Sequence, residues 1–161
     1  MLYIVAAISD NNIVGVNGEL PWRLKNELRW FRMNTVGGAV IMGRKTWDSL
    51  PLKPLPGRLN IILTRNPTRK NSPNVIWKHS LKESIRYARA HHSRVYIIGG
   101  SAIFKQALAF HCSLLITRVH CTVSDDNECC EFVLPRDKTL VWRSRKRSEN
   151  GTTYHHELYI T

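Results

Sequence analysis

One carboxylate stands where the sequence pattern asks for an apolar side chain. Leu24, Leu28 and Phe31 recur at i, i+4 and i+7, the spacing of one helical face, and Glu27 lies on that same stripe. A lone carboxylate is costly to bury, so it must either hold its proton or face a cationic partner. Lys25, Arg29 and Arg32 fall off the stripe and cannot supply that partner. Two readings follow. Glu27 leans from the stripe's edge into water, or it waits for an amidine-like ligand whose two parallel N–H groups would satisfy it in a pocket walled by Leu28 and Phe31.

Two further groups suit phosphate. Met42-Gly43-Arg44-Lys45-Thr46-Trp47 ends a strand on glycine and opens a helix with two cations and a hydroxyl in its first turn. Free N–H groups and the positive dipole end make such a turn receptive to anions, although a solvated basic turn reads the same way. Gly99-Gly100 sits at the end of another strand and opens another helix. In parallel sheets ligands bind beyond the carboxyl ends of strands; a tight turn alone would also explain the pair. Arg58, after Leu55-Pro56-Gly57, could grip a carboxylate at a pocket mouth, and Thr64 and Arg65 end a strand on the same rim as Gly43.

The elements that must hold these groups alternate. Strands are expected at Leu2 to Ile8, Ala39 to Met42, Leu59 to Leu63, Val75 to Trp77, Val95 to Ile98 and Leu114 to Val119. Helices are expected at Lys25 to about Asn34, Arg44 to Leu50, Leu81 to Ala90 and Ser101 to Ala109. Asp10 to Leu24 reads as a long loop, and loops of that length in compact domains usually carry function. Leu140 to Arg147 and Thr152 to Ile160 flank Asn150-Gly151, a hairpin signal. The pattern predicts an α/β fold over residues 1–161 as a single domain: a mostly parallel eight-stranded sheet, helices on both faces and a C-terminal antiparallel hairpin.

Composition narrows the class. The chain has 161 residues, 43% of them hydrophobic, which excludes disorder and disulfide-dense mini-proteins. Its apolar runs fall far short of the roughly 20 residues a membrane span needs, and the N-terminus lacks a basic leader. Four cysteines without a C-x-x-C pair read as reduced thiols of a cytoplasmic protein. The 24 Lys and Arg against 12 Asp and Glu favour anionic partners without choosing among them.

Taken together, Leu20-Pro21-Trp22, Glu27-Leu28 with Phe31, Ile41 to Trp47, Leu55-Pro56-Gly57-Arg58, Ile98-Gly99-Gly100 and Leu115-Ile116-Thr117 resemble the dihydrofolate reductase family in order and spacing, over nearly the whole chain. The resemblance implies NADPH-dependent reduction of 7,8-dihydrofolate to tetrahydrofolate, hydride going to C6 with protonation of N5, in support of one-carbon metabolism. By that resemblance Glu27 binds the pterin 2-amino group and N3, Thr117 supports the same end, and Trp22 lies near a bound water. Val5, Ala6, Leu28, Phe31, Leu50, Leu55 and Ile98 line the substrate pocket, while Arg58, helped by Arg32, takes the glutamate-tail carboxylate. The NADPH site comprises Ala7, Ile13, Gly43, Arg44, Lys45, Thr46, Leu63, Thr64, Arg65, Lys78, Gly99, Gly100, Ser101, Ala102, Ile103 and Phe104. Arg44 and Arg65 would meet the 2′-phosphate, and a cis peptide is expected at Gly99-Gly100. Diaminopyrimidine or pteridine antifolates are the expected inhibitors, and the protein is expected to be a monomer without specific nucleic-acid or membrane partners.

Two departures stand out. Phe104 occupies a position where many members have tyrosine, and the segment from Asp125 to Cys130 carries extra residues that bear on the Asp10 to Leu24 lid. Rival readings are weaker. The basic run Arg143, Arg145, Lys146, Arg147 suggests nucleic-acid binding, yet helix-turn-helix, zinc-finger and aromatic RNA-binding signatures are missing. The doublets His91-His92 and His155-His156, with His111-Cys112 and His120-Cys121, match no common zinc spacing, so no metal is expected. A pyrimidine reductase of riboflavin synthesis would share the fold but not the set Glu27, Phe31 and Arg58.

Overall fold

The computed structural model describes residues 1–16, 22–66, 70–124 and 129–161. Its sheet grows outward from β1 (Leu2–Ser9), whose continuous apolar run is buried on both faces. β1 pairs in parallel with β6 (Val95–Gly99) and with β7 (Ser113–His120). β3 (Ala39–Gly43) joins β6, followed by β4 (Leu59–Leu63) and β5 (Val75–Lys78), all parallel. β11 (Thr152–Ile160) runs antiparallel along β7 and closes the other side with β10 (Arg147–Glu149). Eight strands thus follow in the order β10-β11-β7-β1-β6-β3-β4-β5.

Side-chain alternation along the strands divides the core. Ile4, Ala6, Ile8, Ile41 and Ile97 face α3 (Leu81–His91) and α4 (Ser101–Ala107) through Leu81, Ile85, Ala88 and Ala107. Val5, Val40, Met42, Ile62 and Tyr96 face the other way, toward Phe31 of α1 (Lys25–Thr35) and Trp47 of α2 (Arg44–Ser49). Helices therefore cover both faces, as expected. α3 starts where Ser80 Oγ accepts the Glu83 N–H at 3.1 Å. α1 borrows its cap: both Glu149 carboxylate oxygens accept the Asn26 N–H, at 3.0 and 3.2 Å.

Two expectations need correction. Asp10 to Leu24 is not loop throughout. Ile13–Val16 forms β2, paired with β8 (Cys129–Glu131) in a separate two-stranded sheet. Gly15 in β2 and the shortness of both strands hide the alternation that would have marked them. The Cys129-Cys130 end of the Asp125 to Cys130 segment thus pairs with the first part of the Asp10 to Leu24 stretch, while Leu20, Pro21 and residues 125–128 lie outside the described residues. The first hairpin arm is also not one strand: β9 (Thr139–Arg143) and β10 are separated by a break, and both pair with β11. At the break Ser144 N–H donates to the His156 carbonyl at 2.9 Å, and Ser144 Oγ accepts the His156 N–H at 2.8 Å. A serine side chain replaces one backbone acceptor of the ladder there. The turn itself is as read, with Asn150 at φ 51° and Gly151 at φ 76° joining paired Glu149 and Thr152.

Ile97 is fully buried in the middle of this sheet. Ile97→Ala is expected to cost about 2–5 kcal/mol of unfolding free energy, measured by urea denaturation.

Candidate functional site

Register brings the site together from three strands and one helix. Ala7 of β1 and His156 of β11 are the cross-strand partners of Thr117 in β7. α1 lies over them, with Glu27 and Trp30 three residues apart and hence on neighbouring turns. Thr117 Oγ1 donates to Glu27 Oε1 at 3.1 Å. The same hydroxyl oxygen lies 2.9 Å from His156 Nδ1. The His156 ring stacks on Trp30 at 3.7 Å between centroids and 7° between planes.

Glu27 is 7% exposed and forms no salt bridge among the described residues. The reading that it leans into water is thereby removed. Burial pushes its carboxyl from 4.5 up to about 7; the Thr117 hydrogen bond pulls the other way, and the Glu149 charge adds to the rise. His156 is driven the opposite way, to about 4, by burial first and then by Arg147 and His155. A carboxyl that titrates near neutrality and an imidazole that stays neutral thus share one hydroxyl.

Trp22 packs with Leu24, Val119, Tyr154 and Ala7. Its indole N–H is buried and has no hydrogen-bond acceptor among the described residues. Val5 is buried, with Phe31, Leu50, Leu55 and Ile98 half-buried against the same face. Ala6, expected in the same pocket, turns its side chain to the opposite face, toward α3 and α4, because neighbouring residues of a strand alternate. Leu28 is 52% exposed. Leu28 therefore does not pack into the core, and its side chain is open on the α1 face beside Glu27.

Arg58 is not at a solvent-swept mouth. It is 6% exposed, donating through Nε to the Pro56 carbonyl at 2.9 Å and through Nη1 to Thr35 Oγ1 at 3.0 Å. Its guanidinium lies 5.8 Å from the Phe31 ring centroid. No carboxylate pairs with it among the described residues, and burial together with the Arg32 charge lowers its proton affinity. A buried guanidinium with unused donors beside an exposed Arg32 is built to receive an anion.

On the far side of Met42 the chain offers backbone rather than side chain. A Cβ on Gly43 would lie 3.3 Å from Ile103, and Cβ atoms on Gly99 and Gly100 would lie 3.5 and 3.7 Å from Thr46 Oγ1. The Gly99–Gly100 peptide is cis, as the resemblance implied. Gly43 and Gly100 cap α2 and α4 without any side-chain acceptor, which leaves the first N–H groups of both helices open. Ser101, Ala102 and Ile103 form the first turn of α4, whereas Phe104 is buried against Phe132 and beside Gly99. Lys45 and Arg65 are exposed, and Arg44 pairs with Asp48 at 3.3 Å. Thr64 is buried, with its N–H on the Lys78 carbonyl at 2.8 Å; Lys78 Nζ sits 4.8 Å from the Tyr87 ring centroid. Leu63 packs with the core cluster of α3 and α4, and Ile13 of β2 is buried.

Sequence reasoning missed three members of this region. Trp30 and Thr35 carried no pattern that set them apart, and His156 was visible only as half of a histidine doublet. Its meaning depends on the register that puts it opposite Thr117. Among the described residues no cluster of three or more ligating side chains could hold a metal ion.

Comparison with known proteins agrees with this geometry. The family model described as dihydrofolate reductase matches residues 1–160. A dihydrofolate reductase of Buchnera aphidicola subsp. Acyrthosiphon pisum is 33% identical over 158 residues, covering 98% of this chain and 96% of that one. The dihydrofolate reductase of Haemophilus influenzae is 37% identical over 123 residues, covering 76% and 74%. The solved structure of dihydrofolate reductase from Enterococcus faecalis, complexed with NADP(H) and RAB-propyl, has a TM-score of 0.86 at 28% identity, covering 99% of this chain and 95% of that one. With its buried glutamate, its glycine cradle and these relatives, the chain belongs to the dihydrofolate reductase family.

Proposed function

We propose that Glu27 receives the 2-amino group and N3 of the pterin when the protein reduces 7,8-dihydrofolate to tetrahydrofolate. The observation that carries this assignment is a buried carboxyl whose only hydrogen-bond partner among the described residues is Thr117. Two parallel N–H groups of an aminopyrimidine ring match a carboxylate's two oxygens, and a ligand that brings them removes the desolvation cost of ionisation. Thr117 keeps one oxygen in place, so the ring is held in a fixed orientation. Val5, Phe31, Leu50, Leu55 and Ile98 supply the apolar wall, and Arg58 with Arg32 takes the α-carboxylate of the glutamate tail.

NADPH fits the opposite rim. Side chains at Gly43, Gly99 or Gly100 would fill the space where a flat ring or a phosphate must approach the backbone. The open helix ends, Thr46, Lys45, Arg44 and Arg65 suit phosphates. Bound there, NADPH supplies the hydride that C6 of the substrate accepts. Glu27 orients the pterin and raises the basicity of N5 through the ring; water held at the buried Trp22 N–H delivers the proton to N5. The chain acts as a single-domain monomer in the cytoplasm, and 2,4-diaminopyrimidines compete for Glu27.

The direct test is spectrophotometric. With protein, NADPH and dihydrofolate together, NADPH absorbance should fall, and a diaminopyrimidine should stop it; no oxidation above the protein-free rate would refute the reading. Glu27→Gln should lower turnover at neutral pH roughly ten- to a hundredfold, the worth of one hydrogen bond to a charged group. The same variant should be more stable than the parent in alkali. Because burial raises the Glu27 carboxyl from 4.5 to about 7, its folded-state penalty is absent below the lower value, grows between the two and is complete above the upper. Removing it should raise unfolding free energy at pH 8 by on the order of 3 kcal/mol and change it little in acid. Arg58→Leu should weaken dihydrofolate binding by about 1.5–3 kcal/mol while NADPH affinity, read by fluorescence titration, is unchanged. Arg65→Ala should narrow the ratio of NADPH to NADH turnover.

A further inference from the structure

We propose that His156 is a positioning residue of the reductase site, turning the Thr117 hydroxyl toward Glu27 when its Nδ1 carries a proton and away from Glu27 when Nδ1 is bare. Thr117 has one hydroxyl hydrogen and two neighbours able to take it, Glu27 Oε1 at 3.1 Å and His156 Nδ1 at 2.9 Å. It cannot donate to both. With Glu27 ionised, Thr117 donates to the carboxylate and its oxygen accepts from Nδ1–H. With Glu27 protonated, the carboxyl O–H donates to Thr117, and Thr117 donates to a bare Nδ1 of an imidazole protonated on Nε2.

Passage from the second arrangement to the first conserves atoms and charge. The carboxyl proton moves to the Thr117 oxygen as the Thr117 proton moves to Nδ1, giving a carboxylate and an imidazolium. The imidazolium then releases its Nε2 proton to solvent. The net change is one proton lost, with the tautomer of His156 reversed. Neither Glu27 nor Thr117 needs to move.

The surroundings hold the ring still, so the nitrogens rather than the side-chain torsion respond. Trp30 stacks face to face on it, Tyr154 abuts it edge-on at 5.7 Å, and its own backbone is fixed to Ser144. The charged and titratable groups acting on this unit are few. Arg147 of β10 and His155 of β11 disfavour charge on His156, while Glu149 disfavours charge on Glu27. The Arg147 and His155 effects keep His156 neutral in both arrangements, and the Glu149 charge adds to burial in favouring the proton on Glu27 in the free protein, which pterin binding must then reverse. His155 itself faces away, in a separate network where its Nε2 lies 2.6 Å from Glu157 Oε1 and its Nδ1 lies 2.8 Å from His120.

The inference rests on Glu27 being the pterin carboxylate, yet its test needs no substrate. In nitrogen-15 NMR of the full chain, with His156 assigned by its loss in His156→Phe, Nδ1 should read as bare between about pH 4 and about pH 7 and protonated above pH 7. Its midpoint should coincide with that of the Glu27 carboxyl carbon, and Glu27→Gln should abolish the change. An Nδ1 signal that stays constant through the Glu27 titration overturns the proposal. Turnover in Glu27→Gln judges the carboxylate assignment separately.

Discussion

A single buried carboxyl sets the terms for the rest of this structure. Glu27 sits on the inward side of α1, and no lysine or arginine side chain among the described residues pairs with it there. Burial without a counter-ion would ordinarily be resolved by protonation, and that is the direction in which this group is driven. The fold tolerates the cost because one hydroxyl, Thr117, meets the carboxyl, and because a ligand can supply what the protein withholds. In the role proposed for it, a carboxyl left incomplete in the free protein would favour a heterocycle presenting paired N–H donors over one that lacks them.

The same logic recurs at the other two contacts. Among the described residues Arg58 is a buried cation kept in place by a carbonyl and a threonine rather than by a carboxylate, and in its proposed role the substrate's carboxylate would be its electrostatic partner. The glycines at the ends of β3 and β6 omit side chains where, in the proposed role, the cofactor would lie against backbone. Each of these positions is locally unfavourable, in charge or in lost packing. The apolar sheet beneath them, with Ile4, Ile41, Ile61, Ile97 and Ile116 fully buried, supplies the stability that makes this affordable.

Much of this was legible in the chain. The parallel strands announced themselves as short apolar runs, the helices by their change of period, and the hairpin by Asn150-Gly151. Glu27 was conspicuous because charge on an apolar stripe contradicts the pattern around it. Contacts that depend on register left no local trace. The pairing of Thr117 with His156 joins residues 39 positions apart and is specified by how β11 aligns with β7. The Glu149 cap on α1 and the pairing of β2 with β8 are likewise created by strand placement rather than by local propensity. Arg58 was visible as a candidate, but its depth was not, since a surface arginine and a buried one have the same neighbours in sequence.

The carboxyl's ionisation on ligand binding carries the account. Carbon-13 NMR of labelled glutamate, with Glu27 identified by its absence in Glu27→Gln, can follow that group near pH 6 before and after addition of a 2,4-diaminopyrimidine. The account predicts a protonated carboxyl in the free protein that becomes ionised in the complex, its proton passing to the ligand ring. A Glu27 signal already ionised without ligand, or one that the ligand leaves unchanged, would contradict it.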